Sequence, residues 1–236
     1  MSEQTTLTLP GAPDLQVALR RSARARRISL KVSRLDGAIT LTLPLRTPRR
    51  QGECFLAERE AWLRSALVEV PTALPVTPGA ILPVQGQSLE LVRAPGRGVR
   101  RLGDQLILPL QGHAGRLTGN WLKLQARNRI LPVVTEMALA LGAAAMRPPG
   151  RLRLSDPRGR WGSCAASGNL MLSWRLMLAP PEVLDYVIAH EVAHLAQMNH
   201  SPAFWATVER LMPEYHRHRA WLRTNGAGLH RFDFEA

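Results

Sequence analysis

The sequence predicts an α+β protein, with short strands first and longer helices after them. Two alternating runs of apolar and polar residues, within residues 27–44, flank Asp36-Gly37, a dipeptide typical of a hairpin turn. Apolar residues recur with helical spacing over residues 117–145, and Pro180-Pro181-Glu182 marks the start of another helix. This change of periodicity indicates a β-rich N-terminal region followed by a second, mainly helical domain.

The β-rich region is expected to cover residues 1–115 and to contain one helix. That helix is predicted over residues 47–68, where apolar side chains have helical spacing. Between about residues 80 and 110, Pro and Gly separate short apolar runs, which favours further strands of a small mixed sheet.

The second domain is expected to cover residues 116–236. Pro132 lies inside its long predicted helix and is expected to bend it. Residues 151–155 alternate as a strand, and a hairpin is expected around Ser167-Gly168-Asn169.

The composition is that of an ordinary globular protein, since apolar residues make up 45% and charged residues 21% of the chain. The N-terminus has no basic-then-apolar signal pattern. The most apolar later stretch, residues 130–146, is too short to span a bilayer and contains Pro132 and Glu136. We therefore expect a cytoplasmic protein, in which Cys54 and Cys164 are free thiols.

Basic side chains are concentrated in one segment of a chain whose net charge is +13. The segment contains no acidic residue, and its basic residues are Arg20, Arg21, Arg24, Arg26, Arg27, Lys31 and Arg34. Such a face suits contact with phosphates, so nucleic acid is a candidate partner, although a solvated arginine-rich surface explains the same charge. DNA binding that weakens with salt would support the first interpretation, and no affinity at low salt would exclude it.

The stretch His190-Glu191-Val192-Ala193-His194 has the spacing of a metal site on a helix. If the helix that begins at Pro181 continues to about Met198, the two histidines lie on one face and can chelate one ion. Glu191 then lies about 100° further round the helix, where it can take a proton from a bound water. The surrounding residues are apolar, and buried imidazoles and a buried carboxylate need the partner that a metal provides.

A third ligand is expected at His200, provided that the helix ends before it. On a continuous helix His200 would lie about 15 Å along the axis from His190. Asn199 tolerates the left-handed conformation that closes helices, and Ser201-Pro202 is typical of a new helix start. His200 then falls in the turn and can fold back. Two downstream glutamates are alternative third ligands: Glu209 and Glu214.

Several motifs together resemble the YgjP-like metallopeptidase family, small zincins related to the SprT and WLM proteases. These motifs are RWGSC at residues 160–164 and the HExxH, NHS and FW patterns within residues 174–205. The likeness also covers RRSARARRISLKV and MPEYHRHRAWL, and so most of the chain. The resemblance implies a zincin-like metallopeptidase domain with a short antiparallel sheet on the HExxH helix. It also implies one zinc ion (Zn²⁺) held by His190, His194 and His200, with Glu191 as general base.

Residues outside the helix are expected to complete the site. An edge strand beside the metal of a zincin often binds extended substrate, and the candidate strand here is Gly162, Ser163 and Cys164. Cys164 as a fourth zinc ligand would close the site and make it structural, which argues against catalysis. Three side chains are candidate donors to the transition-state oxyanion: Arg175, Tyr215 and His216.

The expected function is that of a zinc-dependent metallopeptidase, which hydrolyses peptide bonds by a zinc-bound water activated by Glu191. A competing interpretation is a basic nucleic-acid-associated protein with a structural zinc. The two can also combine, as a protease acting on DNA-bound proteins. A third interpretation is an amidase, which would use the same metal chemistry on a non-peptide bond. The expected partners are a protein or peptide substrate and, through the Arg20–Arg34 segment, nucleic acid, with no membrane contact.

Overall fold

The computed structural model describes residues 5–9, 12–33, 36–70 and 72–236. The chain forms two compact units, Met1–Thr72 and Ala73–Ala236, so the division lies well before the predicted boundary at residues 115 and 116. The physical reason is the core of the second unit. Leu82, Leu91 and Leu106, from the strands assigned to the first region, are buried in the same apolar cluster as Leu122 of the long helix.

The described residues of the first unit form a four-stranded sheet and two helices. The strands are β1 (Thr5–Leu9), β2 (Ala12–Ser22), β3 (Ser29–Val32) and β4 (Ile39–Pro44), in the order β1-β2-β4-β3. β3 and β4 pair antiparallel, which confirms the predicted hairpin, and Gly37 has the positive φ (69°) that its turn requires. β2 and β4 pair parallel.

The single helix predicted over residues 47–68 is in fact two helices, α1 (Arg49–Glu58) and α2 (Glu60–Val68). Arg59 interrupts them with φ −105° and ψ 7°, outside the helical range. Leu56 and Leu63, one from each helix, are buried with Leu41 and Leu43 of β4 in the core of this unit.

The basic segment of the first unit lies on its surface. Six of its basic residues are exposed: Arg20, Arg21, Arg24, Arg26, Arg27 and Lys31. Arg21 donates to the carbonyl oxygens of Leu45 and Thr47, and Arg34 lies outside the described residues. Contact with nucleic acid stays a prediction that rests on charge.

The second unit has three small sheets. One has the order β6-β7-β9-β8, from β6 (Ile81–Val84), β7 (Gln87–Arg93), β8 (Arg100–Leu102) and β9 (Gln105–Leu108). Another has the order β10-β12-β11, from β10 (Leu152–Ser155), β11 (Gly162–Cys164) and β12 (Leu170–Ser173). The third pairs β5 (Leu74–Pro75) with β13 (Phe232–Asp233). β11 and β12 form the predicted hairpin, with Gly168 at φ 80°, whereas β10 is parallel to β12. The sheet beside the HExxH helix is therefore mixed.

Four helices complete this unit: α3 (Ala114–Leu141), α4 (Pro181–Ala193), α5 (Pro202–Leu211) and α6 (Tyr215–Asn225). Short 3₁₀ helices cover Gly142–Ala144, Trp174–Leu178 and Gly226–His230. α4 lies at the centre, in contact with α3, α5, α6, β11 and β12. Within the described part of the chain, no helix combines the length and apolarity that a membrane span requires.

The N-terminal turns of α3 pack on the C-terminal segment through two glycines, and these give a matched pair of stability predictions. A methyl group at Gly115 would lie 2.3 Å from the carbonyl oxygen of Phe234, whereas one at Gly119 would lie 3.5 Å from its ring. Gly115→Ala is therefore expected to lower the free energy of unfolding by about 1–3 kcal/mol. Gly119→Ala is expected to raise it by about 0.5–1 kcal/mol, because alanine favours the helix. Urea unfolding measures both, and equal effects would contradict this packing.

Candidate metal centre

The central helix α4 ends earlier than the sequence predicts. It stops at Ala193 instead of about Met198, and Asn199 is not left-handed. The backbone explains the early end, since Leu195 N–H donates to Val192 and Ala196 N–H donates to Ala193, which tightens the last turn. The carbonyl oxygen of Leu195 then accepts a hydrogen bond from Met146 N–H instead of from a later residue of a continued helix.

A second helix starts immediately after this turn, as predicted. Ser201 is its N-cap, with the side-chain oxygen accepting from Phe204 N–H, and Pro202 occupies the first helical position. His200 therefore lies between α4 and α5, directly before the cap. The break between the helices extends over residues 194–201, and this break returns His200 to the end of α4.

The three predicted histidines come together at this break. Nε2 of His190 and Nε2 of His200 lie 3.1 Å apart, and one ring nitrogen from each of His190, His194 and His200 lies within 4.8 Å of the others. Nδ1 of His194 donates to the carbonyl oxygen of Gln197 at 2.9 Å, which leaves Nε2 with its lone pair. Three converging imidazoles, one with its other nitrogen held by a carbonyl, fit a divalent metal such as zinc.

Two aromatic rings of α5 support the three imidazoles. Phe204 is fully buried, and its ring centroid lies 4.5 to 4.9 Å from those of the three histidines. The Trp205 centroid lies 5.7 Å from that of His190 and 5.9 Å from that of His200. Neither ring was predicted to take part in the site, although they follow His200 by only four and five residues.

Burial governs the electrostatics of the site. The pKa of His190 is lowered to about 4, mainly by burial and in addition by the neighbouring His194, His200 and Arg219. Burial raises the pKa of Glu191 to about 7, against the positive charge of Arg160. Burial thus shifts the titration of both groups towards their neutral forms, because removal from water costs a charged group more than a neutral one.

The strand β11 lies directly against the carboxylate of Glu191. A methyl group at Gly162 would lie 2.5 Å from Oε1 and 2.6 Å from Cγ of Glu191. Any side chain larger than that of glycine at position 162 would therefore displace the Glu191 side chain. The strand is at the edge of its sheet, because the order is β10-β12-β11.

The backbone groups of β11 alternate between the sheet and the free edge. Ser173 N–H donates to the carbonyl of Trp161, and Ala165 N–H donates to that of Asn169. By antiparallel alternation Ser163 also pairs with β12, so Gly162 and Cys164 present their backbone groups at the free edge. Of the three residues expected to face substrate, Ser163 is therefore excluded by its register.

The candidate oxyanion donors differ in their surroundings. The guanidinium of Arg175 does not face the histidines as a free donor, because it binds Asp156 and the carbonyl oxygens of Leu229 and Phe232. Tyr215 is close to the centre: its ring stacks on that of Trp205 at 5.4 Å. His216 is exposed, and its ring lies 3.9 Å from that of Tyr215.

The other metal-binding candidates lie outside the group of three histidines. Among the described residues that group includes neither Cys164 nor a glutamate. The Sγ of Cys164 donates to the Ala165 carbonyl, and burial together with the charge of Glu191 raises the pKa of this thiol. Glu209 and Glu214 are exposed, and Glu214 pairs with Arg217. Cys164 and Cys54 are both free, as predicted.

Comparison with known proteins identifies the family. The model of the YgjP-like metallopeptidase domain matches residues 26–225, and no curated protein sequence matches the chain. Among solved structures, the metallopeptidase zymogen jannalysin of Methanocaldococcus jannaschii is 18% identical, with a TM-score of 0.34. That match covers 41% of this chain and 94% of the other. Because the family model covers most of the sequence, and with it HExxH, His200 and β11, the chain belongs to the YgjP-like metallopeptidase family.

Proposed function

We propose that this protein is a zinc-dependent peptidase whose general base is Glu191. The observation that carries the proposal is the convergence of His190, His194 and His200, with the carboxylate of Glu191 held against the edge strand β11. A bound zinc ion would supply a Lewis acid and lower the pKa of a water molecule towards neutrality. The three histidines would hold that ion.

In the proposed reaction Glu191 moves the proton. Its carboxylate accepts a proton from the attacking water and passes it to the amine nitrogen as the C–N bond breaks. Burial by the apolar residues of α4 keeps this carboxylate in a site of low dielectric, and Gly162 fixes its position. Tyr215 remains a candidate donor to the oxyanion, since it stacks on Trp205 next to two of the histidines.

The free edge of β11 supports a peptide as the substrate. An extended peptide can add to this edge as a further strand and pair with the backbone groups of Gly162 and Cys164. Because Gly162 contacts Glu191, a peptide bound there would pass beside the general base.

Catalysis is favoured over a structural zinc by the number of ligands. A structural zinc site is closed by four protein ligands, whereas a catalytic site has three and an open position. Cys164, the expected fourth ligand of a structural site, lies outside the histidine group of the described residues. The side chain of His200 is also exposed, which leaves one side of the centre open to solvent.

Replacing Gly162 tests the proposed placement of Glu191. Gly162→Ala is expected to keep zinc but to lower kcat/KM for an unfolded protein substrate about 100-fold, because the added methyl group displaces the carboxylate. Gly159→Ala is the matched control, since a methyl group there meets no atom within 4 Å. Zinc content, thermal unfolding and hydrolysis are measured on both variants. Full hydrolysis by a folded, zinc-loaded Gly162→Ala protein would contradict the proposed geometry.

A further inference from the structure

A groove of about 510 Å³ lies beside the candidate metal centre. Its volume is within the range of ligand-binding clefts, about 300–1,000 Å³. Two of its walls adjoin the proposed machinery, because Trp161 directly precedes Gly162 and Tyr186 lies one helical turn before His190 on α4. The remaining wall is α6, which contributes three basic residues: His216, Arg219 and Arg223.

Two of these basic residues have no acidic partner in the part of the chain that the structure describes. Among the residues that the structure describes, no carboxylate lies within ion-pair distance of Arg219 or Arg223, and both are exposed. Two other arginines of this unit do have an acidic partner, since Arg217 pairs with Glu214 and Arg175 with Asp156. The groove therefore has a positive charge that no carboxylate of the described residues neutralises.

The Arg219 guanidinium is oriented by the aromatic rings of the site. It lies 4.4 Å from the centroid of the Trp205 ring, whose own centroid lies 5.9 Å from that of His200. Stacking of this kind fixes the plane of a guanidinium and leaves the N–H groups at its edge available. Those N–H groups form a fork that matches the two oxygens of a carboxylate.

We propose that this groove binds a carboxylate of the peptide substrate through Arg219 and Arg223. The preferred substrate then has an acidic group close to the bond that is cleaved. The proposal rests on the peptidase function. The carboxylate belongs either to an Asp or Glu side chain or to the C-terminus of the peptide, and both present the same chemistry to the two arginines.

Peptide binding to the zinc-loaded Glu191→Gln protein tests this proposal without turnover. The probes are short fluorescein-labelled peptides that differ in one group: one with a central Glu and an amidated C-terminus, its Gln counterpart, and that Gln peptide with a free C-terminal carboxylate. Fluorescence anisotropy gives the Kd of each. A carboxylate is expected to strengthen binding roughly five- to tenfold over the amidated Gln peptide. The peptide that shows the gain identifies whether side chain or terminus is bound.

The Arg219→Gln, Arg223→Gln double variant is expected to abolish this preference. Arg217→Gln, in the same helix but paired with Glu214, is the matched control and should keep the preference. Equal binding of all three peptides, or a preference that survives in the double variant, would overturn the proposal. Because binding is measured without hydrolysis, failure of the peptidase function would show separately, as an inactive wild-type enzyme.

Discussion

The Glu191→Gln protein is expected to keep its zinc and to lose hydrolysis of an unfolded protein by about 10²–10⁴-fold. The amide has the shape of the carboxylate but cannot accept the proton of the attacking water. No zinc ligand is altered, and an uncharged side chain suits a buried position, so the melting temperature should not fall. Hydrolysis, zinc content and thermal unfolding are measured on one preparation.

The matched control is Glu182→Gln, an exposed glutamate in the first turn of the same helix, which should hydrolyse as the wild type does. Retained hydrolysis by a zinc-loaded Glu191→Gln protein would show that another group is the base. Loss of zinc from that variant would instead make Glu191 a ligand, a different chemistry for the site.

Removal of the third histidine is expected to have a comparably large effect, on metal affinity. His200→Ala should weaken zinc binding at least about 100-fold, beyond the usual effect of losing a group that only orients a ligand. His190 and His194 alone leave the ion with two protein ligands, fewer than zinc takes in either structural or catalytic sites. Competition with a chromogenic chelator measures the affinity.

The control for this variant is His218→Ala, which removes a histidine of α6 that lies outside the histidine group. It should bind zinc as the wild type does. Unchanged zinc affinity in His200→Ala would favour a glutamate as third ligand, and Glu209→Ala and Glu214→Ala would then identify which one. Both glutamates are exposed in the present structure, so we expect neither substitution to affect zinc.

The sequence predicts the composition of the centre better than the path of the backbone that builds it. The spacing of His190 and His194 and the N-cap at Ser201 are local features of the sequence. The structure has these residues where the local rules predict them. The end of α4 is not local, because the carbonyl of Leu195 is taken by Met146, which lies far away in the sequence. Asn199 predicts that α4 ends at about Met198, whereas tertiary hydrogen bonding ends the helix at Ala193.

The same distinction explains the boundary between the two units. The strands predicted between about residues 80 and 110 alternate apolar and polar residues as the strands of the first sheet do. Periodicity alone therefore assigns all of them to one β-rich region. Their buried side chains, such as Leu91 and Leu106, instead pack in the core that contains α3. Only the three-dimensional contacts assign a strand to one core or another. The sequence also does not distinguish Arg219 and Arg223 from the other basic residues of their stretch, because their place in the groove depends on the fold.

X-ray absorption at the zinc edge of the zinc-loaded wild-type protein tests the central claim most directly. We expect one zinc ion per chain with three imidazole nitrogens at about 2.0–2.1 Å, an additional light ligand from solvent and no sulfur. His200→Ala should remove one imidazole from the spectrum. A sulfur ligand at about 2.3 Å would contradict the account, because it would bring Cys164 onto the metal and make the site a closed, structural one.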